Sequence, residues 1–159
     1  MRQGELRHPE DKVALIEKLV VGSEKEGRNP KAPFESYREL FIFAACVGFE
    51  HGRRRDVIKG DKDPVRWSIL ANNVQFEGLL YLFGITSGNP LLLAEDQTQE
   101  LLRLFESYCN GGLEIIGDWL TDASGTAEME VISTHVLSQL SKAEAVGSKV
   151  AGNLVVPEL

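Results

Sequence analysis

The sequence predicts a mainly α-helical single domain: an irregular bundle of about five helices with at most one short strand pair. Three observations predict it. Apolar residues recur at three- and four-residue spacing over long stretches, above all from Asp96 to Leu120. Ser36-Tyr37-Arg38-Glu39 has the serine-to-glutamate spacing of a helix start. Strand-like alternation is confined to Val65-Arg66-Trp67-Ser68-Ile69. The 159 residues suit one domain, 1–159, whose ends, residues 1–8 and 143–159, are expected to be flexible or loosely docked.

The elements follow in order. Pro9 suits the first position of a helix, with Glu10 and Asp11 at the positive end of its dipole. Val13, Ile16, Leu19 and Val20 keep helical spacing, and Gly22 stops the run. Residues 27–33 form a proline- and glycine-bearing loop. A central helix starts at the Ser36 capping box and carries Tyr37, Leu40, Phe41, Ala44, Val47 and Gly48 on one stripe, with Gly52 at its C′ position. Residues 53–64 are charged and turn-rich, and Val65 to Ile69 reads as extended in preference to the lead-in of a helix. A helix over 71–86 turns Val74, Leu79, Leu80 and Phe83 inward and breaks at Gly88-Asn89-Pro90.

The longest periodic run, 96–120, contains Asn110-Gly111-Gly112 at its centre. A helix interior disfavours glycine by about 1 kcal/mol relative to alanine. Two in a row with the period kept across them predict close approach of another backbone, with a bend. Thr126 is expected to cap a last helix with Met129, Ile132, Val136 and Leu140 inward, its signal fading after Lys142. The tail carries Leu154-Val155-Val156, an apolar run that could dock as a strand.

Composition bounds the function. The net charge of −7 argues against wholesale phosphate binding, while leaving room for a local basic patch. Cys46 and Cys109 fall inside apolar helical patterns without a CxxC, which predicts two buried free thiols in a reducing compartment. The first residues hold no apolar signal-peptide core, and no run approaches the ~20 residues of a membrane span. These features predict a cytoplasmic protein that does not enter a membrane.

Catalytic templates are missing. There is no GxGxxG, GxxxxGK[ST], GxSxG or HExxH. His8, His51 and His135 lack metal-ligand spacing, and Cys46 and His51, five apart, fall on different helix faces. Glu114 and Asp118 share a face at four-residue spacing and could hold a divalent ion, although such a pair is more often a solvated polar face. The expectation is therefore no catalytic residue, no metal and no cofactor. The conspicuous cluster is Arg53-Arg54-Arg55, just past a helix C-terminus. Its cations could serve the helix dipole, or their planar donor forks could bind phosphate or carboxylate. Arg66 beside Trp67 could join them by pairing charge with stacking.

Three stretches in order carry a resemblance: Phe43-Ala44-Ala45-Cys46-Val47-Gly48-Phe49-Glu50-His51-Gly52-Arg53-Arg54, then Asp63-Pro64-Val65-Arg66-Trp67, then Tyr108-Cys109-Asn110-Gly111-Gly112-Leu113-Glu114-Ile115-Ile116. A short helix ending in Leu-Val precedes them. Over residues 9–120 the chain resembles the DNA phosphorothioation-associated protein 4 family, also called dnd system-associated protein 4. The resemblance implies a setting in bacterial systems that put sulfur into the DNA backbone or restrict unmodified (phage) DNA. It transfers no catalytic residue. It sets Arg53, Arg54 and Arg66 inside motif segments, which implies a binding role, and favours a packing role for Gly111 and Gly112, beside the structural glycines Gly48 and Gly52 of the central helix.

The leading expectation is a non-enzymatic accessory protein that binds another protein of the phosphorothioation system, or DNA backbone, through Arg53, Arg54, Arg55, Arg66 and Trp67. The alternatives are a homo-oligomeric scaffold, most simply a homodimer, and a metal-dependent enzyme using Glu114 and Asp118.

Overall fold

A computed structural model describes residues 3–22, 27–60, 64–72 and 74–152. The described residues form six α-helices and one two-stranded sheet: β1 (Glu5–Leu6), α1 (Val13–Leu19), α2 (Tyr37–Glu50), β2 (Val65–Arg66), α3 (Trp67–Leu70), α4 (Val74–Thr86), α5 (Thr98–Asp122) and α6 (Glu128–Gly152). Short 3-10 turns precede α1 and α5. The mainly α-helical class expected from the periodicity is the observed one.

The centre of the fold is the pair α2 and α5. On α2, the Glu39 N–H donates to Ser36 Oγ at 3.3 Å, as a capping serine should accept. The reciprocal bond is displaced by one residue: Glu39 Oε2 accepts from the Glu35 N–H, at 2.9 Å. Leu40, Phe41 and Ala44 then meet Leu101, Leu102, Phe105, Leu113 and Ile116 of α5, all buried. α4 closes the other side, where Phe76 and Phe83 set their rings edge-on to Phe105 at 5.2 and 5.5 Å.

At the crossing of α2 and α5 the two backbones touch. A Cβ on Gly112 would collide with the Ala44 carbonyl, and one on Gly48 with the Tyr108 carbonyl. The helix runs unbroken through Gly111-Gly112, so the glycines serve packing rather than interruption.

Residues 3–8 are docked on the fold. Leu6 is buried at 1% exposure and β1 pairs antiparallel with β2, Glu5 opposite Arg66 and Leu6 opposite Val65. The N-terminal segment is held because it covers the start of α5. Pro9 sits one position before the 3-10 turn Glu10–Lys12 rather than inside a helix. Val65–Arg66 is extended as expected, and from Trp67 to Leu70 the chain forms one helical turn, so the segment is both the strand and the lead-in to a helix. Val74, expected inward, is 82% exposed at the first turn of α4.

α6 departs most. It starts after Ala127, not Thr126, and it does not fade after Lys142 but runs to Gly152. Its expected inward stripe is largely outward. Of that stripe Ile132 is buried, with Val131 beside it, whereas Met129, Val136 and Leu140 are 47%, 36% and 55% exposed. The periodicity was real, but the bundle is too short to cover it. Leu154-Val155-Val156 lies outside the described residues. Of the two thiols, Cys109 is buried as expected and Cys46 is exposed on the outer side of α2. No helix among the described residues is long and apolar enough to cross a membrane.

Candidate functional site

The arginine segment leaves α2 by a tight reversal. Gly52 takes the left-handed conformation, φ 59°, and its N–H donates to the Phe49 carbonyl at 3.0 Å. The Arg53 N–H reaches back to the Gly48 carbonyl at 2.8 Å. This Schellman closure throws residues 53–56 across α5 as a strap.

One face of α5 receives the strap: Ser107, Asn110, Gly111 and Glu114, spaced 3, 1 and 3 residues apart. The Arg55 N–H donates to the Ser107 carbonyl at 2.9 Å. Asn110 Nδ2 donates to the Asp56 carbonyl at 3.3 Å. Gly111 lies directly beneath the Arg53 carbonyl, where a Cβ would collide. Glu114 Oε2 takes Arg55 Nε at 3.2 Å and Arg53 Nη1 at 3.7 Å, and Asp118 adds a contact to Arg53 at 4.0 Å.

A second carboxylate further back along α5 works the same way. Glu106 is 2% exposed. Its oxygens accept from the Arg7 N–H, from Arg7 Nε and Nη2, and from Arg103 Nη1, the shortest at 2.6 Å. Each of the two glutamates is thus gripped by two guanidinium groups. Sequence reading missed Arg7 and Arg103, because two isolated arginines 96 positions apart carry no local signal. The cluster of five arginines with Asp56, Glu106, Glu114 and Asp118 sums to +1, a weakly basic belt on an acidic chain.

The arginines are not equivalent. Arg53 and Arg55 are tied to Glu114 yet remain 41% and 55% exposed at the side chain. Arg54 is exposed, with Nε donating to Ser107 Oγ at 3.1 Å and the guanidinium carbon 5.4 Å from the Tyr108 ring centre. That leaves its two terminal nitrogens without a partner among the described residues. Beside it the exposed edge of Phe49 packs against Tyr108 at 5.4 Å.

Arg66 and Trp67 do not join this group. They stand by Gln99 on the β1–β2 ribbon, roughly 12 Å earlier along α5 by helical rise. Arg66 is exposed, but Trp67 is 8% exposed and part of the core. Its ring is therefore not available for stacking with a ligand.

Other chemistry-bearing groups are committed elsewhere. His51 Nδ1 lies 2.9 Å from the Val47 carbonyl. His135 stacks flat on Trp119 at 3.9 Å. Burial with Glu106 nearby raises the pKa of the Cys109 thiol strongly, and partial desolvation by its neighbours raises that of Cys46, although the residue is exposed, so neither is poised as a thiolate. No group of three or more His, Cys, Asp or Glu among the described residues is placed to hold a metal ion.

Two of the three stretches that carried the resemblance therefore meet in one contact. Gly48 packs against Gly112, and Arg53, turned by Gly52, lies over Gly111 and Glu114. The family model for DNA sulphur modification system-associated protein 4 matches residues 5–149. The chain belongs to that family. The match takes in β1, the strap, both arginine clamps and most of α6. No curated protein and no solved structure matches the chain.

Proposed function

We propose that this member of the family is a non-enzymatic accessory protein that docks on an acidic surface of another protein of the DNA sulphur modification system, with Arg54 as its anchor. The observation that carries the reading is the state of Arg54. Ser107 and Tyr108 orient its guanidinium, and no described residue takes its outer nitrogens. An oriented fork with free donors matches a carboxylate bidentately. Arg53 and Arg55 flank it and, half neutralised by Glu114, add positive potential.

A protein partner is favoured over DNA backbone because the chain carries −7 overall and two carboxylates, Glu114 and Asp118, already occupy the neighbouring Arg53 and Arg55. A role without catalysis agrees with thiols whose pKa values are raised and with histidines held by main chain and ring contacts. Glu114 would have to release two arginines before it could hold a divalent ion. Such a protein works in the cytoplasm, beside the DNA that the system modifies or restricts.

The test is a pull-down from cells carrying the whole system, using wild type, Arg54→Ala and Arg54→Lys. Loss of one system protein with both variants is expected, because lysine keeps the charge but lacks the fork. Equal capture by all three would remove Arg54 as the anchor. A gel shift of duplex DNA at about 50 mM salt, lost steeply as salt rises, would replace the protein partner with DNA.

A further inference from the structure

α6 is 25 residues long, about 37 Å, and it is packed only at its start. Every described side chain over residues 136–149 is exposed except for the partial cover of Val136, at 36%. A helical stretch of about that length is marginal in water without packing. Here Ser138, Ser141 and Gly147 weaken it further.

Beside it runs a groove of about 430 Å³ between α2 and α6. One wall is Phe43, Val47 and Glu50, the other Val136, Leu140 and Ala143. Both walls have the i, i+4, i+7 spacing of a helix face, so the groove is shaped for a third helix.

We propose that this helix is α6 of a second copy of the chain, laid antiparallel along the first. Three observations single out self-pairing. Leu137 is 63% exposed and lies outside the groove, about 60° around the helix from Leu140. A foreign helix in the groove would cover Leu140 and leave Leu137 in water. When α6 is both wall and occupant, Leu140 faces the partner's α6 and Leu137 faces its α2.

The second observation is charge. A chain of −7 repels its own copies, but residues 136–149 carry only Lys142, Glu144 and Lys149, which with Glu50 of the facing wall sum to zero. The third is extent. The exposed turns of α6 and the facing wall of α2 supply on the order of twenty residues a side, the lower end of a stable specific interface. A two-fold contact fills both grooves at once and closes the assembly at a dimer.

Light scattering on the full chain from low to roughly 100 µM, well above the Kd of a micromolar interface, tests this. A dimer is expected. Leu140→Glu and Leu137→Glu should each weaken it at least tenfold while the thermal transition of the core persists. Ile69→Glu, which changes an exposed leucine-sized side chain on α3, should leave it intact. A monomer at every wild-type concentration overturns the proposal. So does a dimer that survives both leucine substitutions. The two leucine sites act as independent checks if one variant proves unstable.

Discussion

Gly112 of α5 rests against the carbonyl oxygen of Ala44 of α2, so that the two helices meet backbone to backbone. No side chain can enter that contact without parting the helices. Gly112→Ala should therefore destabilise the protein by about 3 kcal/mol or more, at the upper end of overpacking effects. Gly117, five residues on in the same helix, supplies the contrast. A Cβ there meets only Leu15 Cδ2 at an ordinary 3.5 Å. Gly117→Ala should stabilise by up to about 1 kcal/mol through helix propensity. Thermal unfolding of the two variants should move in opposite directions.

Glu106 holds the N-terminal segment onto α5 through Arg7. Glu106→Gln removes the charge, keeps the shape and leaves two guanidinium groups short of an acceptor. Both arginines are about one-third exposed, so water relieves part of the loss. A cost of about 2 kcal/mol is expected in urea unfolding. Hydrogen exchange at Glu5 and Leu6 should rise first, since β1 loses its anchor. Unchanged protection there would mean that the strand pair alone holds the segment.

Glu114 restrains Arg53 and Arg55 on the surface. Glu114→Gln should cost little stability, under about 1 kcal/mol, because the pairs are exposed. It should also raise the affinity of the belt for an acidic partner, with a steeper salt dependence, because two more guanidinium groups become available. Titration calorimetry or a pull-down at graded salt reads the change. A weaker interaction would mean that Glu114 positions the arginines rather than competing for them.

Acid should loosen α6 before it unfolds the core. The hydrogen bond from Lys18 Nζ to Glu128, 2.9 Å, holds that carboxylate below its ordinary pKa, and the bond ties α1 to the start of α6. A depressed folded-state pKa gives stability that is present above the unfolded value and lost as pH falls through the folded one. The contribution should therefore vanish on acidification through and below the usual carboxylate range. The effect is small, because the pair is largely solvated. Glu128→Gln should flatten the acid limb of a Trp119 fluorescence titration. An identical acid limb in the variant would exclude this pair as the cause.

The sequence made some of this legible and concealed the rest for physical reasons. α2 and α5 could be read because both bury a regular stripe, and Gly111-Gly112 could be read as a packing device because the period ran through it. The strap was half legible. Arg53 to Arg55 were visible as a cluster, but their partners Ser107, Asn110 and Glu114 are more than fifty positions away. Trp67 was misplaced because an arginine–aromatic pair says nothing about which way the ring turns. α6 was misread for a different reason: an apolar stripe predicts that a surface will be covered, not that its own domain covers it.

The backbone contact at Gly48 and Gly112 bears on recognition. A helix pair joined main chain to main chain has little slack for sliding or side-chain repacking. The strap begins one turn beyond that junction and is bonded to the neighbouring face of α5. The donors of Arg54 are thus presented at a fixed height and angle before any encounter. A partner does not have to order them, so less of its binding energy is lost to entropy. Small changes at the junction, far from any partner, should be felt as lower affinity.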